Sequence, residues 1–124
     1  DLRGQRDMKV LVTIAGNDVS SRFDLTSEVV IAECADGQIK GKPRTIMLGR
    51  PSAEELSGLV LKENISVVIC GAIEENHYRY LSWKNVKVVD SVIGPYRECL
   101  FRVAENSLSS RDILPGAAMK ESAA

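Results

Sequence analysis

Five short runs rich in β-branched apolar residues are spaced along the chain, each bounded by turn residues. They cover residues 8–14, 28–34, 38–47, 66–70 and 86–89. Runs of this length and composition predict β-strands. Asp36-Gly37, between the second and third runs, predicts a tight hairpin. Gly41 to Pro43 predicts an interruption of the third strand, because proline has no N–H to donate to a strand ladder.

Three further segments have apolar residues at helical spacing. The first follows Ser52, which forms a capping box with Glu55, and Asn64 closes it. The second covers about residues 74–83, and the third opens at Gly94-Pro95. The order β-β-β-α-β-α-β-α predicts an α/β fold with a five-stranded mixed sheet flanked by three helices. Right-handed crossovers place the strands in the order 3-2-1-4-5.

The same pattern predicts one domain over residues 8–108. Residues 1–7 form an N-terminal extension, and residues 109–124, rich in Ala and Ser towards their end, form a flexible C-terminal tail. The extension is polar and has no hydrophobic segment of a signal peptide. No apolar run approaches the roughly 18 residues of a membrane span. We therefore expect a cytoplasmic protein with no membrane partner.

Composition narrows the function classes. The 124 residues include 16 Lys and Arg against 17 Asp and Glu, a net charge of −1, which argues against nucleic acid as a partner. The three cysteines, Cys34, Cys70 and Cys99, cannot all pair within one chain, which fits a reducing compartment. They have no C-x-x-C spacing, and with a single histidine there is no H-x-x-x-H, so no preformed metal site is predicted.

A candidate ligand site follows from the predicted topology. The segments at 15–25, 71–77 and 90–96 follow the first, fourth and fifth strands and converge at the carboxyl edge of the sheet. Two of these segments lead into helix N-termini, whose unpaired N–H groups favour an anion. The cofactor-binding candidates are Asn17, Asp18, Ser20, Arg22, Gly71, Ala72, His77 and Gly94.

Each candidate with a reactive side chain has a plainer alternative. Arg22 would hold an anion that Asp18 orients, or the loop is solvated and contains a local Arg–Asp pair. His77 would act as a ligand, or it is simply exposed. Cys70 fits a small core residue better than a nucleophile, because His77, the only available base, lies about two helical turns away in sequence. We predict no catalytic residues.

Three stretches resemble a known family. Met8-Lys-Val-Leu-Val, Val19 to Asp24 and Val67 to Ile73 are similar, in order and spacing, to the dinitrogenase iron–molybdenum cofactor biosynthesis family, and the resemblance runs from Met8 to about Leu108. It implies a ribonuclease H-like fold. It also implies a non-enzymatic carrier for an anionic metal–sulfur cofactor or precursor, of the iron–molybdenum or molybdenum–copper type. Such a nitrogen-fixation-related carrier would deliver its cluster to a protein partner.

The chain departs from the family pattern in its first loop. Members that bind cofactor commonly have Ser-x-His-Phe-Gly there, with the histidine associated with the cofactor, whereas this chain has Ser20-Ser21-Arg22-Phe23-Asp24. Arginine cannot ligate a metal, but it can hold sulfide or oxyanion groups by charge and hydrogen bonds. The tail at Leu114 to Ala118 also lacks the two cysteines that follow Pro-Gly in a subgroup of the family.

Two other function classes remain to be weighed. An interaction or regulatory module could have kept the fold and lost the cofactor, docking through its sheet edge or through the helix carrying Tyr78, Tyr80 and Trp83. A ribonuclease H-type hydrolase would need clustered acidic metal ligands on its strands. The strands at Val10–Ile14 and Val67–Cys70 are apolar instead, which disfavours that class.

Overall fold

A mixed six-stranded sheet with three helices forms the centre of the protein. The computed structural model describes residues 8–116, so the predicted extension at 1–7 and the last part of the predicted tail, 117–124, lie outside the described residues. The strands are β1 (Met8–Ala15), β2 (Asp18–Val19), β3 (Glu28–Ala35), β4 (Gln38–Met47), β5 (Val67–Ile69) and β6 (Lys87–Val89). The helices are α1 (Ala53–Lys62), α2 (Glu75–Trp83) and α3 (Tyr96–Ala104), and a short 3₁₀ helix covers Phe23–Leu25.

The central strand is β1, which pairs antiparallel with β3 and parallel with β5. The sheet order is β4-β3-β1-β5-β6, which reads 3-2-1-4-5 when β2 is left out of the numbering. The α/β class, the mixed sheet and the three helices agree with the sequence prediction. The prediction of five strands was one short. The missing β2 is a two-residue strand that turns back on β1 at Gly16-Asn17, too short to show any alternation.

The expected interruption of the third predicted strand is a bulge in β4. Ile31 pairs with Arg44 and Glu33 with Lys40, so the three residues from Gly41 to Pro43 stand opposite one residue of β3. Gly41 has a φ of 69°, a backbone conformation that glycine adopts without strain. The bulge therefore places Pro43 where no ladder hydrogen bond is needed.

Local sequence signals set the helix boundaries. The Ser52 side chain caps α1 by accepting a hydrogen bond from the Glu55 N–H at 3.1 Å. Each helix is followed by an asparagine with positive φ, at Asn64, Asn85 and Asn106, the conformation that commonly ends helices. Within the described residues, no helix is long and apolar enough to cross a membrane.

The two faces of the sheet are covered differently. One face, here called the two-helix face, packs residues such as Leu11 and Val68 against Leu56 of α1 and Leu81 of α2. The opposite one-helix face packs residues such as Val12 against Leu100 of α3. Alternation along the strands produces this division, because successive side chains point to opposite sides of a sheet.

Part of the predicted flexible tail packs on the domain. The Arg111 N–H donates to the Asp90 carbonyl at 2.8 Å, and the Leu114 N–H donates to the Ile93 carbonyl at 2.9 Å. Leu114 is 3% exposed and joins the core of the one-helix face. The prediction of a tail from residue 109 is therefore corrected for 109–116. The segment is mostly polar, so the sequence did not indicate that one leucine is buried or that the backbone forms hydrogen bonds with the domain.

Replacing Leu114 by alanine tests this correction. Because Leu114 is buried, we expect Leu114→Ala to lower the free energy of unfolding by about 2–5 kcal/mol. The neighbouring Ile113 is 57% exposed, so we expect Ile113→Ala to change it by less than about 0.5 kcal/mol. Urea denaturation followed by circular dichroism measures both values. Equal, small effects would show that this segment does not contribute to the fold.

Candidate functional site

Two loops are joined by backbone hydrogen bonds at the carboxyl edge of the sheet. The Phe23 N–H donates to the Ala72 carbonyl, and the Ala72 N–H donates to the Ser21 carbonyl, both at 2.8 Å. The pairing forms an isolated parallel bridge between Arg22 and Ala72. It fixes the loop after β2 against the loop after β5, so the position of Arg22 is determined by backbone contacts.

Gly71 makes this close approach sterically feasible. Gly71 is buried, and a Cβ atom at this position would lie 2.5 Å from the Ser21 carbonyl oxygen. Real Cβ atoms essentially never approach a backbone oxygen that closely. Gly71 was predicted as a cofactor-binding residue, and the structure gives it a packing role between the two loops.

Phe23 anchors the first loop in the core of the two-helix face. Its side chain is fully buried, and its ring centroid lies 6.0 Å from that of His77 on α2. The Ser20 and Thr26 hydroxyls both donate to the Arg22 carbonyl, at 3.1 and 2.7 Å. Because the Phe23 side chain points into the core and the Arg22 carbonyl accepts hydrogen bonds from these two hydroxyls, the Arg22 side chain extends to the surface.

The Arg22 guanidinium forms a two-point ion pair with Asp24. Its Nε donates to Asp24 Oδ1 at 3.1 Å, and its Nη2 donates to Oδ2 at 2.7 Å. The hydrogen bond from Arg22 lowers the pKa of Asp24, and the same contact raises the pKa of Arg22. Asp18, expected to orient a ligand on Arg22, lies in β2 and bridges to Pro95. The carboxylate on Arg22 is therefore that of Asp24, which the sequence did not single out as its partner.

His77 lies beside this ion pair and is mostly covered. Its side chain is 18% exposed, and its Nε2 is 3.7 Å from Glu74 Oε1. We call Arg22, Asp24, Glu74 and His77 the Arg22 cluster. With a neutral histidine the cluster contains one cation and two carboxylates, so an incoming anion must compete for the guanidinium.

The remaining candidates form a second group, where the β1–β2 hairpin contacts the start of α3. The Tyr96 N–H donates to the Asn17 carbonyl at 3.0 Å, and the Val19 N–H donates to the Gly94 carbonyl at 2.9 Å. The eight predicted residues therefore divide into Ser20, Arg22, Gly71, Ala72 and His77 at the docked loops, and Asn17, Asp18 and Gly94 at the start of α3. The backbone contacts of the second group serve to hold the β1–β2 hairpin on the α3 loop.

Some backbone N–H groups near the expected anion site already donate to loop carbonyls. The Ala72 N–H donates to the Ser21 carbonyl, and the Tyr96 N–H, the first of α3, donates to the Asn17 carbonyl, so these two donors are already in use. Burial is also the main cause that raises the pKa of the Cys70 and Cys99 thiols to about 12. Over residues 8–116 no group of three or more His, Cys, Asp or Glu side chains could hold a metal ion. Arg22 is a cation that the docked loops hold at this edge.

A comparison with protein families shows which family the chain belongs to. The family model "Dinitrogenase iron-molybdenum cofactor" matches residues 8–106, which is most of the chain. The chain belongs to this family. No curated protein matches the sequence.

Solved structures share the fold. PH0822 has a TM-score of 0.75 at 15% identity, covering 83% of this chain and 94% of its own. The "putative dinitrogenase" MJ0327 from Methanocaldococcus jannaschii has a TM-score of 0.68 at 23% identity, covering 83% and 93%. The "putative NifB protein" TM1290 from Thermotoga has a TM-score of 0.63 at 16% identity, covering 87% and 97%. At such identities the likeness shows a common fold.

The close approach at Gly71 can be tested by adding a single methyl group. We expect Gly71→Ala to lower the free energy of unfolding by about 1–3 kcal/mol, because the Cβ would overlap backbone atoms that cannot move aside. Gly58 in α1 is the matched control, since nothing lies within 4 Å of a Cβ added there. Gly58→Ala should raise stability by up to about 1 kcal/mol through helix propensity. Thermal and urea unfolding compare the two variants, and a neutral Gly71→Ala would contradict the packing role.

The ion pair with Arg22 predicts how the pKa of Asp24 depends on its partner. Its pKa is lowered in the folded protein, so the pair contributes stability above the ordinary carboxyl pKa of about 3.9. That contribution is lost as the pH falls through the lower folded value. Carboxyl-detected NMR should show the Asp24 pKa rising in Arg22→Ala and staying unchanged in Arg79→Ala. An unchanged Asp24 pKa in Arg22→Ala would exclude the pairing in solution.

Proposed function

We propose that this protein is a non-enzymatic binding or carrier protein for an anionic metal–sulfur cofactor or its precursor, of the iron–molybdenum or molybdenum–copper type. The cargo would bind at the Arg22 cluster. Family membership supports the class of cargo. The ribonuclease H-like class is part of the same proposal. It is supported by β3, which runs antiparallel to both of its neighbours, β1 and β4.

One observation carries the proposal. The Arg22 side chain is 51% exposed and extends from the docked loops, at the position where the family resemblance implies a histidine associated with cofactor. The loops are held by backbone hydrogen bonds before any ligand arrives, so little ordering is required on binding. Arg22 can donate several hydrogen bonds to sulfide or oxyanion groups while leaving the metal ligated by the cluster's own sulfides.

Binding by this route requires exchange of the Arg22 partner. Asp24 occupies two of the five guanidinium N–H donors, so a cargo that binds the same edge of the guanidinium has to replace a carboxylate that is only 28% exposed. An anion with several negative charges competes better than one with a single charge, because Coulomb attraction grows with the charge. His77 lies 3.7 Å from Glu74 in the same cluster and can supply one imidazole nitrogen to the same ligand.

Titration with tetrathiomolybdate and copper under anaerobic conditions tests the proposal. We expect the native protein to develop saturable charge-transfer absorption. Arg22→Ala should weaken binding by about ten- to a hundredfold, since a hydrogen bond to a charged group contributes about 1.5–3 kcal/mol. Asp24→Asn should strengthen it, because the guanidinium loses its competing carboxylate while a side chain of the same size remains.

Arg79→Ala is the control for loss of an exposed arginine. Arg79 pairs with Glu75 one helical turn away on α2, and it is 76% exposed. This variant should bind like the native protein. Colourless protein with no saturable uptake, or equal weakening by Arg22→Ala and Arg79→Ala, would refute cargo binding at the Arg22 cluster.

An interaction or regulatory module is the second candidate, and one observation favours it. Trp83 is 74% exposed and Tyr80 is 40% exposed on α2, with the Lys84 ammonium 4.9 Å from the Trp83 ring. Large exposed aromatic side chains of this kind are frequent at protein interfaces. A protein that takes up no cluster, but whose Trp83 fluorescence shifts in a complex with another protein, would favour the module.

A further inference from the structure

A groove lies on the one-helix face, away from the Arg22 cluster. It has a volume of about 700 Å³, and its floor is formed by Val30 of β3 with Ile39 and Thr45 of β4. One wall is α3, and the other is the β4 bulge. Pockets that hold small organic ligands typically have volumes of about 300–1,000 Å³.

The groove follows from the uneven cover of the sheet. Neighbouring strands lie about 4.8 Å apart, and a helix with its side chains is about 10 Å wide. A single helix, α3, packs on β1, β3 and β4 on this face. The helix leaves part of the edge strand β4 uncovered, since Lys42 and Thr45 are exposed at the groove.

The two walls carry opposing cations. Lys42 projects from the bulge and Arg97 from α3, and both line the groove. Across residues 8–116 neither side chain has a carboxylate within 4 Å, whereas Arg22, Arg44, Arg79 and Arg102 all do. Two cations that have no carboxylate partner among the described residues and that line one concave surface attract an anion.

Aromatic and apolar surfaces lie between these charges. Phe101 is 59% exposed at the groove, and the Arg97 guanidinium lies 5.7 Å from the centre of the Tyr96 ring. Pro43 and Leu100 complete an apolar lining. A flat apolar body stacked on these rings would bring an attached anionic group to Lys42 and Arg97.

The edge strand itself is unsuited to pairing with another chain. Pro43 lacks an N–H, three residues are out of register at the bulge, and Lys40, Lys42 and Arg44 all lie on β4. These features are the ones by which natural sheets prevent added strands. The groove therefore fits a small molecule better than an extended peptide.

We propose that the groove between α3 and the β4 bulge binds a small organic anion with a flat aromatic body. Lys42 and Arg97 hold its anionic group, and Tyr96 and Phe101 contact its ring. This site is separate from the proposed cargo site, because Val30 and Ile39 belong to the core of the one-helix face and Phe23 belongs to the core of the other.

Amide NMR with three probes tests the proposal. We expect 2-naphthoate, added to millimolar concentrations, to shift the amides of Ile39, Thr45, Arg97 and Phe101 saturably. The neutral 2-naphthalenemethanol should bind more weakly at the same amides, and acetate should give no saturable shift. Acetate acting as strongly as 2-naphthoate, or 2-naphthoate shifting other amides or none, would overturn the proposal.

Variants of exposed residues distinguish the contribution of charge to binding from the contribution of contact with the ring. Lys42→Ala and Arg97→Ala should each raise the Kd for 2-naphthoate about fivefold and leave 2-naphthalenemethanol unchanged, while Phe101→Ala should weaken both. Lys62→Ala, an exposed lysine on α1, and Arg22→Ala should bind 2-naphthoate like the native protein. Amide spectra of each variant check that the fold is intact. Equal effects of Lys42→Ala and Lys62→Ala would contradict the assignment.

Discussion

The docking of the Ser20–Asp24 loop on Gly71-Ala72 is the constraint on which the rest of the site depends. Hydrogen bonds in both directions with Ala72 continue the parallel pairing beyond the ends of β1 and β5. The backbones can approach this closely only because residue 71 has no Cβ. Once the loops are docked, Phe23 fills the core of the two-helix face, and the residues on either side of it are left at the surface. The exposed ion pair is thus a consequence of a buried contact.

The ion pair in turn limits what this edge can attract. A partly exposed Arg–Asp pair contributes little to stability, because water competes for both groups, so its partners can be exchanged. The nearby Glu74 adds a second negative charge, which discourages weakly charged anions. The structure therefore favours ligands whose charge is concentrated and multiple. A sulfide-rich cluster has this property, and a monocarboxylate does not.

Signals local in the sequence allowed five of the six strands, the three helices and the interruption that is the β4 bulge to be predicted. The capping role of Ser52, the stop at Asn64 and the break before Pro43 each depend on residues within a few positions. The ordered segment around Leu114 escaped prediction because its partners, Ile93 and Gly94, are about twenty residues away. For the site, the sequence located the two loops correctly. It could not decide which aspartate meets Arg22, since that depends on Phe23 turning inward, and it could not show that the Ala72 amide is already bonded.

The two faces of the sheet share their strands, and β3 is one example. Adjacent residues of β3, Val30 and Ile31, point to opposite faces, one under α3 and the other under α1 and α2. The bulge that protects the β4 edge from added strands also forms a wall of the groove, so one feature accounts for both. Because the Arg22 cluster lies at the carboxyl edge of the sheet and the groove lies on the one-helix face, ligands at the two places would not collide. Any influence of one on the other would have to pass through the packing of strands that contribute to both cores, such as β3.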